Sequence, residues 1–404
     1  MNEVEAGDVK KYHTEVGHFQ MNHEGEKICG DVFLSKRIPE ENRVLCVLSD
    51  GMGHGVRANV LATLTATISL NFSMEHKDAN ALAGIIMRAL PVCSDRKISY
   101  ATYTIVDIAV EADTVSILEY DNPQTLILRE NRIYQPEWTH VNFKGDIKDK
   151  RVVDLKKCVF TPQKEDRIVF CSDGITQSGL GKGMAMGWGR NSLIKFVREI
   201  VEAVPTISAA ELAERVVKHA ASNDLFKPKD DLTCGVVYFR QARKTLLCTG
   251  PPFNPEKDSE FANILNNFDG IKIISGATTT DIIARELRRT VTNEERADLT
   301  LPPSSKMDGI DLVTEGVLTL SKATHLLNTF NQNSKMQFGK GPADQICKLL
   351  LDSDEIHILV GTKINEDHHD PALPVEIEIR KHLIQRLSTV LSDKFMKVVQ
   401  IKYM

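Results

Sequence analysis

Apolar residues in the first 240 positions fall mostly into short runs bounded by turn-forming residues, the pattern of β-strands. Such runs occupy residues 12–20, 31–35, 43–48, 102–110, 114–120, 125–129, 152–160, 167–171 and 232–239. Between them, residues 56–72, 80–90, 191–203 and 209–222 carry apolar positions at helical spacing, and the simplest reading turns those stripes toward a core. Asp121-Asn122-Pro123 and Arg129-Glu130-Asn131-Arg132 have the composition of hairpin connections, which predicts an antiparallel meander through the middle strands. Strands, helices and strands again, without strict alternation, predict an α+β fold: an antiparallel β-sandwich flanked by helices.

The pattern changes near Gln241-Ala242-Arg243-Lys244, so residues 1–241 read as one domain and 245–404 as a second. There, extended runs at 245–248, 271–274, 310–313, 356–360 and 397–401 alternate with helical stretches at 259–268, 281–290, 316–327 and 376–392. Alternation of this kind predicts a smaller α/β domain with a parallel, doubly wound, Rossmann-like sheet. Residues 293–307, which include Leu301-Pro302-Pro303-Ser304-Ser305, are expected to be an exposed excursion.

A chain of 404 residues fits two domains, and 42% hydrophobic residues suffice for two cores. The net charge of −5 and the lack of a basic run give no support to nucleic-acid binding. The acidic start, MNEVEAGDVKK, has no apolar signal-peptide core, and apolar stretches break well before the ~20 residues that span a bilayer. Eight cysteines, none in a C-x-x-C pair, sit mostly in apolar runs and read as reduced core thiols. The expectation is a cytoplasmic protein.

Four acidic sites at strand ends change the picture: Cys29-Gly30-Asp31, Ser49-Asp50-Gly51-Met52-Gly53-His54-Gly55, Ser172-Asp173-Gly174 and Lys229-Asp230-Asp231-Leu232-Thr233. A carboxylate at the end of a buried strand is costly unless something compensates its charge, and an adjacent glycine leaves its carbonyl open as a further ligand. Several aspartates with no Cys/His cluster make an oxygen-only set suited to Mg²⁺ or Mn²⁺. Two such ions ~3.5–4 Å apart generate a hydroxide nucleophile and neutralise charge on a phosphoryl group. Each site alone also reads as an ordinary turn; the argument lies in four of them in this order.

Taken in order, these motifs resemble the metal-dependent protein phosphatase family, in its bacterial branch typified by stage II sporulation protein E and its stress-response relatives, over residues 12–240. The resemblance implies two stacked antiparallel sheets flanked by helix pairs. It implies that Asp50 bridges two Mn²⁺ or Mg²⁺ ions, with the Gly51 carbonyl on one of them. Asp173 and Asp230 would hold the other ion, with Asp31 nearby and Asp231 ranked behind Asp230. It further implies a serine/threonine protein phosphatase in signalling whose partner is a phosphorylated regulatory protein, such as an anti-sigma-factor antagonist-like domain. Two departures stand out. Eukaryotic-type members have a histidine directly after the Asp-Gly; here that position is Met52, and His54 is either a proton donor or a helix-entry residue. Where those members carry a phosphate-gripping arginine, only Lys27 is near.

Other features admit two readings each. The glycine-dense stretch 178–189 is a substrate-docking flap or a surface loop. In the second domain, Ser275-Gly276-Ala277-Thr278-Thr279-Thr280 either cradles a small anionic ligand at a helix start or simply caps that helix. His368 and His369 bind metal or belong to a solvated loop. The second domain as a whole reads as regulatory or ligand-sensing. Competing with the protein phosphatase are a catalytically quiet scaffold and a small-molecule phosphatase, the latter requiring a closed pocket.

Overall fold

The structure is a computed structural model that describes residues 12–75, 81, 84–86, 101–141, 155–293, 302–330, 338–362 and 373–404. The chain divides into two compact units, Met1–Gln241 and Ala242–Met404.

In the first unit two antiparallel sheets face each other. One runs β1 (His13–Met21), β11 (Leu232–Arg240), β10 (Arg167–Cys171), β6 (Leu126–Arg129), β7 (Arg132–Tyr134). The other runs β2 (Asp31–Ile38), β3 (Arg43–Gly51), β4 (Ala101–Ala109), β5 (Thr114–Tyr120), β9 (Leu155–Phe160), β8 (Trp138–His140). β3 and β11 are apolar on both faces because each sheet is covered on both sides, by the opposite sheet and by helices. Phe33, Cys46, Leu48 and Ile117 from one sheet interdigitate with Ile168, Phe170, Val237 and Phe239 from the other, and the Phe33 and Phe170 rings stack at 6.0 Å.

Helices α1 (Gly55–Met74), α2 (Asp173–Gln177), α3 (Gly189–Ala203) and α4 (Ala209–Asn223) lie outside the sandwich. The last two bury Leu193, Val197, Leu212 and Val216 as their periodicity predicts. Ser208 caps the start of α4, its hydroxyl accepting the Glu211 N–H at 3.1 Å. α1 departs from expectation. It turns Ala58, Ala62, Thr65, Ala66 and Ser69 inward and leaves Val56, Val60 and Leu64 exposed. The reason is close approach: a Cβ on Gly51 would sit 2.1 Å from the Ala58 carbonyl oxygen, so only small residues fit beneath this helix. The helical stretch expected at 80–90 falls largely outside the described residues, although 81 and 84–86 are helical.

The predicted meander is corrected as well. Arg129–Arg132 is a true hairpin, with Glu130 and Asn131 both left-handed. Asp121-Asn122-Pro123 instead carries the chain from β5 in one sheet to β6 in the other, turning at Asp121 with φ 60°.

The second unit is built on one seven-stranded sheet: β14 (Val291–Asn293), β15 (Ser305–Met307), β16 (Ile310–Thr314), β13 (Ile271–Ser275), β12 (Lys244–Thr249), β17 (Glu355–Val360), β18 (Val398–Tyr403). The five strands from β16 to β18 are parallel, and the order reverses between β12 and β17. β14 and β15 are antiparallel, so the sheet is mixed, and the ends of the expected excursion form its edge. Helices α5 (Asp258–Asn266) and α6 (Ala277–Leu287) cover one face. On the other lie α7 (Val317–Thr329), α8 (Pro342–Asp352), which the sequence reading missed, and α9 (Leu373–Thr389).

Candidate active site

The sandwich brings together the aspartates singled out above. Asp31 begins β2, directly opposite Asp50 near the end of β3 in the same sheet. Asp173 follows β10, and Asp230 and Asp231 precede β11, both in the facing sheet. Those two strands are locked by a reciprocal pair: the Ser172 N–H donates to the Thr233 carbonyl at 3.0 Å, and the Thr233 N–H to the Ser172 hydroxyl at 3.1 Å. A Cβ on Gly174 would lie 2.3 Å from the Asp231 carbonyl oxygen, so that glycine is required for the approach.

The carboxylates form two layers. Asp50, Asp173 and Asp230 line a cleft of about 670 Å³ that opens to solvent, together with Met52, Gly53, His54, Asp121, Asn122, Gln177 and Lys229. Behind them Asp31 and Asp231 are 3% and 2% exposed, and each keeps one carboxylate oxygen buried without a hydrogen-bond partner among the described residues. The other Asp231 oxygen accepts the His23 N–H at 3.0 Å. Asp230 accepts the Asp231 N–H at 2.9 Å, and Gln177 donates to Asp173 at 2.7 Å.

The electrostatics follow from this crowding. Burial, then the charges of Asp31, Asp173 and Asp230, pushes the Asp50 carboxyl well above its ordinary range, and its side chain reaches that of Asp173. Burial raises Asp31 to about 7, the hydroxyls of Thr233 and Ser172 opposing it, and raises Asp230 to about 6 with help from the Asp173 charge. Asp173 is raised too, by burial first. Little positive charge opposes this cluster among the described residues: His23 eases Asp230 slightly, and Lys229 lines the cleft while donating to the Leu180 carbonyl at 3.0 Å. Lys27 is exposed.

An oxygen-only donor set, two orphaned buried carboxylate oxygens and mutual repulsion all fit hard divalent cations. As placed, however, no three His, Cys, Asp or Glu side chains among the described residues already surround one point as a metal cage. The Gly51 residue is buried beneath α1.

Sequence reasoning did not single out Asp121, Asn122, Gln177 or Lys229 as cleft residues, nor Glu26 and His23 as neighbours of His54. Asp121-Asn122 has only the composition of a turn, and the left-handed φ of Asp121 is invisible in a sequence. The 178–189 stretch runs beside the cleft: Leu180, Met184 and Met186 are exposed there, near the Asp224–Lys227 turn, whose Asp224 accepts the Gly179 N–H at 2.9 Å.

In the second unit, residues 277–280 form the first turn of α6 rather than preceding it. Ser275 donates to the Glu315 carbonyl and Thr280 to that of Gly276, each at 2.9 Å, so both hydroxyls serve the backbone. His368 and His369 lie outside the described residues.

Two facing antiparallel sheets, helices outside and a carboxylate-lined cleft at their seam give the first unit a PP2C-like phosphatase fold. Residues 40–240 match the model of the stage II sporulation protein E (SpoIIE) family and are a domain of that family. Among solved structures, the SpoIIE phosphatase domain from Bacillus subtilis aligns at TM-score 0.42 and 17% identity, covering 58% of this chain and 95% of that one. A longer B. subtilis SpoIIE fragment with part of its regulatory domain aligns at TM-score 0.47 and 18% identity, over 57% and 63%. The S. agalactiae serine/threonine phosphatase aligns at 0.40 and 14%, over 56% and 99%. Likenesses at this level add no detail to the site. No curated protein matches the chain. Among the described residues no helix is long and apolar enough to cross a membrane.

Proposed function

We propose that the first unit hydrolyses phosphoserine or phosphothreonine on a regulatory protein, with the Asp31, Asp50, Gly51, Asp173, Asp230 and Asp231 cluster holding Mn²⁺ or Mg²⁺. The observation that carries this reading is the pair of buried, unpartnered carboxylate oxygens on Asp31 and Asp231 behind a cleft lined by three more aspartates. Uncompensated negative charge at that depth is costly, and a cation is the simplest group that relieves it. Bound there, divalent cations would supply an activated water and neutralise the phosphoryl oxygens.

The chain's own residues do the rest. Asp50 from one sheet and Asp173 and Asp230 from the other converge from opposite walls, so cations held between them would present positive charge to a phosphoryl group at the seam between the sheets. Lys229 offers the cleft a positive side chain, and His54 stands at its rim as proton donor to the leaving oxygen. The open mouth and the exposed Leu180, Met184 and Met186 beside it suit a folded phosphoprotein, such as an anti-sigma-factor antagonist-like domain, better than a small metabolite. The second unit is then a regulatory or ligand-sensing module, with the start of α6 as its candidate anion contact.

One observation favours a second reading, a catalytically quiet scaffold: the absence, among the described residues, of a preformed cage of three ligands. Turnover of p-nitrophenyl phosphate with Mn²⁺ separates the two. Manganese-dependent hydrolysis lost in both Asp50→Ala and Asp173→Ala supports the enzyme, and equal residual activity in all three proteins supports the scaffold.

A further inference from the structure

The loop between β1 and β2 packs a second constellation against the rim of the cleft. His54 lines the cleft, and its Nδ1 lies 2.7 Å from Glu26 Oε1. A carboxylate carries no proton to give in its ionised form, so this contact requires Nδ1–H and leaves Nε2 as the ring nitrogen free for chemistry. The His23 ring stacks on that of His54, centroids 4.4 Å apart and planes at 12°, and limits its rotation. The backbone around it is anchored on the acidic cluster: the His23 N–H donates to Asp231, and the Glu24 N–H to the Pro228 carbonyl at 2.9 Å. Gly55, at φ 69°, completes the arrangement, since a Cβ there would stand 2.6 Å from Glu26 Oε2. Glycine serves both needs, the left-handed turn into α1 and room for the carboxylate.

We propose that Glu26 is a positioning residue that holds His54, as the imidazolium, with Nε2–H directed at the oxygen leaving phosphorus; the inference rests on the phosphatase reading above. As the bond from phosphorus to the attacking water's oxygen forms, the bond to the serine or threonine oxygen breaks and its electron pair stays on that oxygen. The Nε2 proton of His54 moves to it and the alcohol departs neutral. The proton shed by the water passes to solvent or product phosphate, and His54 regains its own from solvent. Glu26, itself one-third exposed, stabilises the cationic ring and fixes which nitrogen faces the cleft.

Leaving-group dependence tests this. p-Nitrophenolate departs as a stable anion and needs little protonation, whereas a serine alkoxide needs a proton. In the full chain with Mn²⁺, the ratio of kcat/KM for a phosphoserine peptide to that for p-nitrophenyl phosphate is expected to fall about a hundredfold in His54→Asn. Glu26→Ala should lower the ratio about tenfold, and Glu26→Gln less, because its amide oxygen still accepts from Nδ1–H. p-Nitrophenyl phosphate turnover in the same samples reports that the site is assembled. Equal losses on both esters, or an unchanged ratio in either His54→Asn or Glu26→Ala, overturn the dyad. No turnover by the wild-type chain overturns instead the hydrolase reading beneath it.

Discussion

Asp31 and Asp50 are direct cross-strand partners on β2 and β3, two acids placed face to face at one end of the sheet. Like charges so placed destabilise a sheet, and function is the reason to retain them. Asp31→Asn should therefore raise the melting temperature of the metal-free protein by roughly 2–4 °C, about 1 kcal/mol. The same variant should lose Mn²⁺-dependent hydrolysis. Differential scanning calorimetry beside an activity assay reads both; a lower melting temperature would show that the pair is not under electrostatic stress.

Cations should stabilise the wild-type chain by mass action. Mn²⁺ at a hundred times its Kd is expected to add about 2.7 kcal/mol, roughly 5–10 °C for a unit of this size. Thermal melts with and without Mn²⁺, repeated on Asp50→Ala, check this without any substrate. A shift of the same size in both proteins would place the bound ion elsewhere.

Glu119 gives the pH dependence. It is 3% exposed and accepts the Thr125 N–H at 2.7 Å, and burial pushes its carboxyl up to about 7. Between its ordinary value and 7 the folded chain holds a proton that the unfolded chain has released. Its favourable contribution is therefore present at pH 4 and lost as pH rises through 7. Glu119→Gln keeps the acceptor without the titration, so its stability relative to wild type should grow from near zero at pH 4 to about 3 kcal/mol at pH 8. Chemical denaturation at those two pH values decides; a constant difference counts against a raised carboxyl.

Gly51→Ala should destabilise the first unit by about 3 kcal/mol or more, because the added carbon meets the Ala58 backbone. Denaturant midpoints test this, and a variant as stable as wild type would mean that α1 yields easily.

Leu225 and Phe226 are consecutive left-handed residues, each about 70% exposed. Phe226→Gly should be neutral or stabilising by up to about 1 kcal/mol, since relief of a strain of ~1–2 kcal/mol outweighs glycine's extra chain entropy. Urea unfolding measures it, and a clear loss would show that the ring packs against something.

Much of this was legible beforehand because it is written in local pattern. β3 and β11 are largely apolar runs, with Asp50-Gly51 ending the first and Asp230-Asp231 directly preceding the second, so both the central strands and the acidic cluster could be read in one dimension. What escaped depends on contacts distant in sequence. α1 has few large residues facing inward, and only its approach to Gly51 explains why. The Asp121 turn has hairpin composition yet changes sheets, a choice made by the packing of β6 on β10. β14 and β15 are three residues each, too short for any period to show. Glu26 and His54 are separated by 28 positions and meet only because Gly55 leaves space between them.

Asp31 and Asp50 belong to one sheet, Asp173, Asp230 and Asp231 to the other, and the spacing between those walls is set just beneath the carboxylates, where Phe33 stacks on Phe170. The aperture is thus a gauge of core thickness. A modest trimming such as Phe170→Leu, which touches no cleft-lining carboxylate directly, narrows or skews the gap before it threatens the fold, so heating ought to silence the protein some degrees below the temperature at which it melts.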